Sequence, residues 1–167
     1  MSVLAARIYG AALVITVLDQ TFKALAVSSL FSKPNIVIIP GVFGESVGPI
    51  LQLTHVLNSG AAFGFGSNYT IVITVLAAFI IWMLIRNAKK ITDPIWGTAF
   101  ALLLGGAVGN FLDRIFREPH GLKGHVIDYL QIPNFPVFNF ADICISLAAV
   151  FIVLAVIKKR ELDHRHA

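Results

Sequence analysis

The chain has 167 residues, of which 57% are hydrophobic and only 13% are charged, whereas an ordinary soluble domain carries about 25% charged residues. This composition, with a mean hydropathy of +0.81, excludes a soluble globular domain, a disordered chain and a disulfide-stabilised miniprotein. The net charge of +4 belongs to basic residues beside long apolar runs, which favours contact with a membrane surface and not with nucleic acid. We therefore expect one small integral membrane domain over residues 1–167.

Four apolar segments are each long enough to cross a bilayer as a helix, which takes about 20 residues. They are predicted, in chain order, at about residues 7–27, 69–85, 94–116 and 138–157. The first segment has some features of a cleavable signal peptide, but Asp19 and Lys23 interrupt it and no small-x-small cleavage site follows. We expect it to remain as the first of four transmembrane helices.

The distribution of Lys and Arg predicts the orientation, because these residues accumulate on the cytoplasmic side of a membrane. Most of them lie at the two ends of the chain and in the loop between the second and third segments, namely Arg7, Arg86, Lys89, Lys90, Lys158, Lys159, Arg160 and Arg165. Both termini are then cytoplasmic. Two longer loops, at about residues 28–68 and 117–137, face the outside.

The first outer loop has the composition of a small β-sheet. Residues 35–40 and 50–57 are rich in β-branched and apolar side chains, and Gly41, Gly44 and Gly48 lie between them. This pattern predicts a short antiparallel sheet at the outer membrane surface, within an outer β region at about residues 35–64. Residues 117–137 are predicted as a loop over the functional site.

Charged and amide side chains gather near the outer ends of the predicted helices. A charged side chain within a span costs at least about 2.5–3.5 kcal/mol, so each is a functional candidate. Asp19 and Lys23, four residues apart, have the simpler explanation of an ion pair within one helix. Asn110 and Arg114 could cap the third helix and reach the membrane surface.

Asn139, Asp142 and Asp128 have simpler explanations too. Asn139 is a favourable N-cap for the fourth helix, Asp142 in its first turn gains from the helix dipole, and Asp128 could be a solvated turn residue. However, the second outer loop can bring Asp128 and Asp142 together. Two carboxylates about 3 Å apart share a proton, so that one activates water while the other acts as an acid. This chemistry, that of an aspartic protease, requires no metal and no cofactor.

Three other chemistries have less support in the sequence. His55, His120 and His125 show no metal-binding spacing. Ser59 lacks the Gly-x-Ser-Gly motif of a serine intramembrane protease, and Cys144 fits a small core residue better than a nucleophile.

Five sequence blocks resemble, in order, those of lipoprotein signal peptidases, also called signal peptidase II. The blocks are Asp19 with Lys23, Asn-Ser-Gly-Ala-Ala-Phe-Gly at residues 58–64, Gly-Asn-Phe-Leu-Asp-Arg at residues 109–114, Val-Ile-Asp-Tyr at residues 126–129 and Phe-Asn-Phe-Ala-Asp at residues 138–142. The chain departs from the family pattern in the short stretch of 14 positions from Asp128 to Asp142. The resemblance implies an α-helical integral membrane protein with four transmembrane helices and a small extracytoplasmic β-sheet.

The resemblance also implies an aspartic endopeptidase that cuts prolipoproteins just before a diacylglyceryl-modified cysteine, with Asp128 and Asp142 as the catalytic pair. The residues expected to bind substrate or shape the site are Asn58, Gly60, Asn110, Arg114, Asn139 and Ala141. Structural support would come from Asp19, Lys23 and Asp113. Membrane lipids and peptide antibiotics of the globomycin type are expected partners of a monomer in the bacterial inner membrane, with its active site at the periplasmic face.

Two other classes of function remain open at this point. Charged residues within spans also mark the ion pathways of transporters and channels, although those pathways lie nearer the middle of the membrane. The motif from Gly105 to Gly109 could be the docking face of an assembly subunit, but packing between helices of the same chain explains it more simply.

Overall fold

The computed structural model describes residues 2–41, 48–60 and 69–162. The described residues form four long helices and three short strands. The helices are α1 (Val3–Leu30), α2 (Thr70–Ala88), α3 (Pro94–Phe116) and α4 (Phe140–Ile157); two of the strands lie between α1 and α2, and the third lies between α3 and α4. By length and composition, all four helices could cross a membrane. The prediction of four apolar helices with a small sheet is confirmed, and the helix bounds differ from the predicted segments by at most four residues.

The polar residues that flank the helices explain where three of them begin. The Ser2 hydroxyl accepts a hydrogen bond from the Ala5 N–H at 3.1 Å. The Asp93 carboxylate accepts from the N–H groups of Ile95 and Trp96, and Asn139 caps α4. Each satisfies backbone donors that have no partner within the first helical turn.

Helix α3 packs closely against both α1 and α4 through glycines that leave no room for a side chain. A Cβ atom on Gly105 would lie 2.7 Å from Cβ of Ile15 in α1, and one on Gly106 would lie 2.6 Å from the Ala141 carbonyl oxygen in α4. Gly109 likewise adjoins the Asp19 carboxylate. Gly105 and Gly109 therefore allow close packing between helices of the same chain, which was the simpler explanation of this motif.

The sheet has three antiparallel strands in the order β1 (Ile36–Ile39), β2 (Leu51–Asn58) and β3 (Val126–Gln131). The first two correspond to the predicted strands; residues 61–64 of the predicted β region, and Gly44, lie outside the described residues.

Strand β3 corrects the prediction of residues 117–137 as a loop. Asn58 at the end of β2 pairs with Val126 at the start of β3. Ile127 and Tyr129 are buried against Ala26 and Leu30 at the end of α1. The sheet therefore rests on the helix bundle through alternate apolar side chains of β3, and Asp128 lies between them in sequence, on the other face of the strand.

Candidate active site

Asp128 is a buried strand residue, with only 2% of its surface exposed, and not the solvated turn residue that its sequence context allowed. Its Oδ1 accepts a 2.6 Å hydrogen bond from Nδ2 of Asn139, and its Oδ2 accepts a 2.9 Å bond from Nδ2 of Asn58. Burial raises the pKa of Asp128 to about 6, and the negative charge of Asp142 acts in the same direction, whereas the two amide donors oppose it. Asp128 is therefore a carboxyl group that can hold a proton near neutral pH.

Asp142 lies in the first turn of α4, where its side chain accepts two hydrogen bonds. Its Oδ1 accepts from Nδ2 of Asn110 at 2.9 Å, and its Oδ2 accepts from the Asn139 backbone N–H at 3.1 Å. In return, Oδ1 of Asn139 accepts from the Asp142 N–H at 3.0 Å, which completes a capping box. The expected N-cap role of Asn139 and its contact with Asp128 therefore belong to the same side chain.

The buried ammonium group of Lys23 lies close to this pair of aspartates. The Lys23 side chain is fully buried, and its Nζ lies 2.7 Å from Asp19 and 2.8 Å from Asp113. The same ammonium donates to Oδ1 of Asn110 at 2.8 Å. The predicted ion pair within α1 is present, but Lys23 also joins α1 to α3 and orients an amide that contacts Asp142.

The two carboxylates around Lys23 also fix neighbouring elements. Oδ1 of Asp19 accepts from the Ala141 N–H at 3.0 Å, a contact between α1 and the first turn of α4. Oδ2 of Asp113 accepts from the Ile127 N–H at 3.2 Å, next to Asp128 in β3. These buried contacts fix α4, which carries Asp142, against α1, and they fix β3, which carries Asp128, against α3.

Arg114 lies at the edge of the site and does not extend to the membrane surface, since only 8% of it is exposed. Its Nη1 is 3.5 Å from the Ser59 carbonyl oxygen. Gly60, whose N–H donates to Oδ1 of Asn58 at 2.8 Å, has a φ of +122° and faces the same guanidinium. This backbone conformation and the lack of space both require glycine. Residues 61–64 of the same sequence block lie outside the described residues.

Asn110 does not cap α3, as the simpler explanation proposed, because its side chain spans the space between Lys23 and Asp142. It also accepts a 3.2 Å hydrogen bond from Nδ2 of Asn139. The residue at the C-cap of α3 is Arg117.

Two residues that bond to Asp113 were not predicted from the sequence. Gln20 donates to the Gly109 carbonyl at 2.9 Å and to Asp113 at 3.2 Å. Arg117 pairs with Asp113 at 2.6 Å. The available signals were an amide beside Asp19 in an apolar helix and a basic residue four positions after Asp113.

The histidines considered as metal ligands are not brought together. His55 packs edge-to-face on Phe31 with 5.8 Å between ring centroids, and His120 lies 2.9 Å from Glu118. Among residues 2–41, 48–60 and 69–162, no group of three or more His, Cys, Asp or Glu side chains is arranged to hold a metal ion.

Comparison with known proteins gives the family. A family model described as signal peptidase (SPase) II matches residues 11–158. The lipoprotein signal peptidase of Streptomyces coelicolor is 40% identical over 149 residues, which cover 89% of this chain and 69% of that protein. The one of Mycobacterium tuberculosis strain H37Rv is 35% identical over 159 residues, which cover 93% and 75%. A solved structure described as a bacterial membrane enzyme, at 1.9 Å resolution, superposes with a TM-score of 0.71 and 25% identity over 92% of this chain and 94% of that one. The chain belongs to the signal peptidase II family.

Proposed function

We propose that this protein is an aspartic endopeptidase that removes signal peptides from diacylglyceryl-modified prolipoproteins, with Asp128 and Asp142 as its catalytic pair. The observation that carries the proposal is that Asn139 contacts both carboxyl groups, one through its side-chain amide and one through its backbone N–H. A single residue thus holds a carboxyl of β3 next to a carboxyl of α4.

The two aspartates would have different roles, one as an acid and the other as a base. Asp128, with a pKa raised to about 6 by burial, would carry the shared proton. Asp142, in the first turn of α4, would be the base that takes a proton from water. The resulting hydroxide adds to the carbonyl carbon before the lipidated cysteine, while Asp128 donates its proton to the carbonyl oxygen.

Collapse of this tetrahedral intermediate breaks the C–N bond. The leaving amine receives the proton that Asp142 took from water, and the carbonyl re-forms as Asp128 recovers its own proton. One water is consumed, and the products are the free signal peptide carboxylate and the amino group of the modified cysteine.

The other site residues would position the substrate. Asn58 and Gly60 lie where β2 ends next to Arg114, so an extended peptide could contact the exposed part of the sheet and approach the Gly60 backbone closely. We propose that Asn110 and Asn139 set the direction of the two carboxyl groups. Asp19, Lys23 and Asp113 would hold α1, α3, α4 and β3 together, and Ala141 contributes its N–H and its lack of bulk.

The position of the site at the ends of the helices suits a lipid-anchored substrate, because a diacylglyceryl group must stay in the bilayer while its peptide reaches water. Most of the described basic residues, such as Arg7, Arg86 and Lys158, lie at the opposite end of the bundle, so we propose that both termini are cytoplasmic and that the site faces the periplasm. A globomycin-type lipopeptide would be expected to occupy the same site. One chain contains all the groups required, so a monomer would suffice.

A cleavage assay with one prolipoprotein in two forms tests this function. We expect the purified protein in detergent to cut the diacylglyceryl-modified form, with EDTA present, and mass spectrometry to find the modified cysteine as the new N-terminal residue. The unmodified form of the same protein serves as the matched control and should stay intact. Equal cleavage of both forms, or cleavage that EDTA abolishes, would contradict the proposal.

A further inference from the structure

A concave surface lies at the opposite end of the bundle from Asp128 and Asp142. It is a crevice of about 320 Å³ between α1 and the beginning of α3. Its walls are apolar, with Leu4, Ile8 and Ile15 from α1 and Gly97, Ala101 and Leu102 from α3. Within a transmembrane bundle, a crevice of this kind is open to lipid.

The length of the crevice corresponds to one leaflet of a bilayer. From Leu4 to Ile15 it follows α1 for about 16 Å, at a rise of about 1.5 Å per residue. Half of a hydrocarbon core of about 30 Å is about 15 Å. An acyl chain that lies alongside α1 would therefore fill the crevice from the membrane surface to the bilayer centre.

Arg7 is the charged residue of the crevice lining. It lies one turn from Leu4, near the surface end, and its side chain is exposed. Neither an ion pair nor a hydrogen bond engages its guanidinium within the described part of the chain, residues 2–41, 48–60 and 69–162. A guanidinium matches the geometry of a phosphate, and basic pockets between helices are typical sites for anionic lipid headgroups.

We propose that this crevice binds one anionic phospholipid, with an acyl chain between α1 and α3 and the phosphate on Arg7. Further basic residues at the same end, including Arg86, Lys89 and Lys90, would concentrate anionic lipids there. The bound chain would fill the space between two helices whose other ends are joined by Lys23. The lipid would thus support the α1–α3 spacing on which the candidate active site depends.

Native mass spectrometry of the detergent-solubilised protein, titrated with palmitoyl-oleoyl phosphatidylglycerol or the matching phosphatidylcholine, tests the headgroup contact. We expect one phosphatidylglycerol to bind in preference to phosphatidylcholine. Arg7→Gln should weaken phosphatidylglycerol binding about fivefold, the effect of one Arg beside an anionic headgroup. Arg86→Gln is the matched control, because it removes the same charge from the same end of the bundle, on α2 and outside the crevice lining, and should weaken this first binding step clearly less than Arg7→Gln does.

Filling the crevice tests the acyl-chain contact independently of charge. Ala11 lines the crevice, so Ala11→Phe should weaken binding although Arg7 remains. Ala6, which is exposed on the other side of α1, gives the control Ala6→Phe, and this variant should bind as the wild type does. Equal binding of the two lipids, equal losses in Arg7→Gln and Arg86→Gln, or wild-type binding by Ala11→Phe would each overturn the proposal.

Discussion

The side-chain amide of Asn139 donates a 2.6 Å hydrogen bond to the Asp128 carboxyl across the junction between β3 and α4. The same Asn139 is the N-cap of α4, so its other amide atom is bonded to the backbone of that helix. One residue thus has a structural role and a positioning role, and the two roles can be separated by substitution.

Replacement of Asn139 by Ser or by Ala separates them. Ser is about as good an N-cap as Asn, but its hydroxyl is too short to replace the amide contact with Asp128. We expect both variants to lose cleavage activity by about tenfold, as for the loss of one buried hydrogen bond that positions a catalytic carboxyl group. Asn139→Ala should in addition lose about 1 kcal/mol of unfolding free energy relative to Asn139→Ser. Single-turnover cleavage rates and unfolding in detergent measure the two effects; a fully active Asn139→Ser would refute the positioning role.

Removal of the Lys23 ammonium should destabilise the protein strongly. Lys23→Met leaves Asp19 and Asp113 as fully buried carboxylates without their shared cation, and breaking a buried ion pair costs about 3–5 kcal/mol. Arg117→Met is the control, because Arg117 pairs with the same Asp113 but its side chain is 29% exposed. We expect a clearly smaller loss there. Equal losses in the two unfolding free energies would show that burial of Lys23 does not set its contribution.

The raised pKa of Asp128 predicts how stability depends on pH. Because folding raises this pKa from 3.8 to about 6, the folded state binds the proton more tightly than the unfolded state. The contribution of Asp128 to stability is therefore complete below pH 3.8 and is lost as the pH rises through about 6. Asp128→Asn does not titrate, so the wild type should lose about 2 kcal/mol relative to this variant between about pH 4 and pH 7.

Unfolding free energies of the two proteins, measured in one detergent at constant ionic strength, check this linkage. Asp93→Asn, at the N-cap of α3, provides a control in which another Asp is replaced at the opposite end of the bundle. Parallel pH profiles for wild type and Asp128→Asn would contradict the assigned environment of Asp128.

The close contact of α1 with α3 predicts different effects for three glycines. A Cβ on Gly105 would meet Ile15 and the Ala12 carbonyl oxygen within 2.8 Å, whereas one on Gly10 meets nothing within 4 Å. Gly105→Ala should therefore cost about 1–3 kcal/mol through overpacking, and Gly10→Ala should be neutral or stabilising by up to about 1 kcal/mol. Gly109→Ala should also reduce cleavage, because it displaces Asp19. Thermal unfolding and cleavage rates measure both effects, and a Gly105→Ala protein as stable as Gly10→Ala would argue against close packing here.

The helices and two of the strands could be predicted because their signals are local. Apolar runs of bilayer length and clusters of β-branched residues are visible in a short window of sequence. Strand β3 was missed because Asp128 interrupts a short run of strand-forming residues, and its stability comes from pairing with β2 and packing on Ala26 and Leu30. Those partners are distant in sequence.

In the site, too, the features with local signals could be predicted and the contacts between distant residues could not. The polar residues at one end of the helices were recognisable because placing such side chains in a membrane costs free energy. The family membership then decides against a transporter or an assembly subunit. Their partners were not recognisable, since Asp19 bonds to Ala141 across 122 positions and Lys23 bonds to Asn110 across 87. For Arg114, a position at the membrane surface stayed open beside a role in the site, because a local pattern cannot show that Ser59 and Gly60 lie against it.

The most direct test of the central claim is cleavage of a diacylglyceryl-modified prolipoprotein by Asp128→Asn and Asp142→Asn. Asp93→Asn serves as the control for an Asp-to-Asn change outside the site, and lipid-modified substrate, detergent and EDTA are the same throughout. Gel shift in a single-turnover assay should show full cleavage by the wild type and by Asp93→Asn, and none by either site variant. Cleavage that persists in a folded Asp128→Asn or Asp142→Asn protein would remove that aspartate from catalysis and contradict the proposed pair.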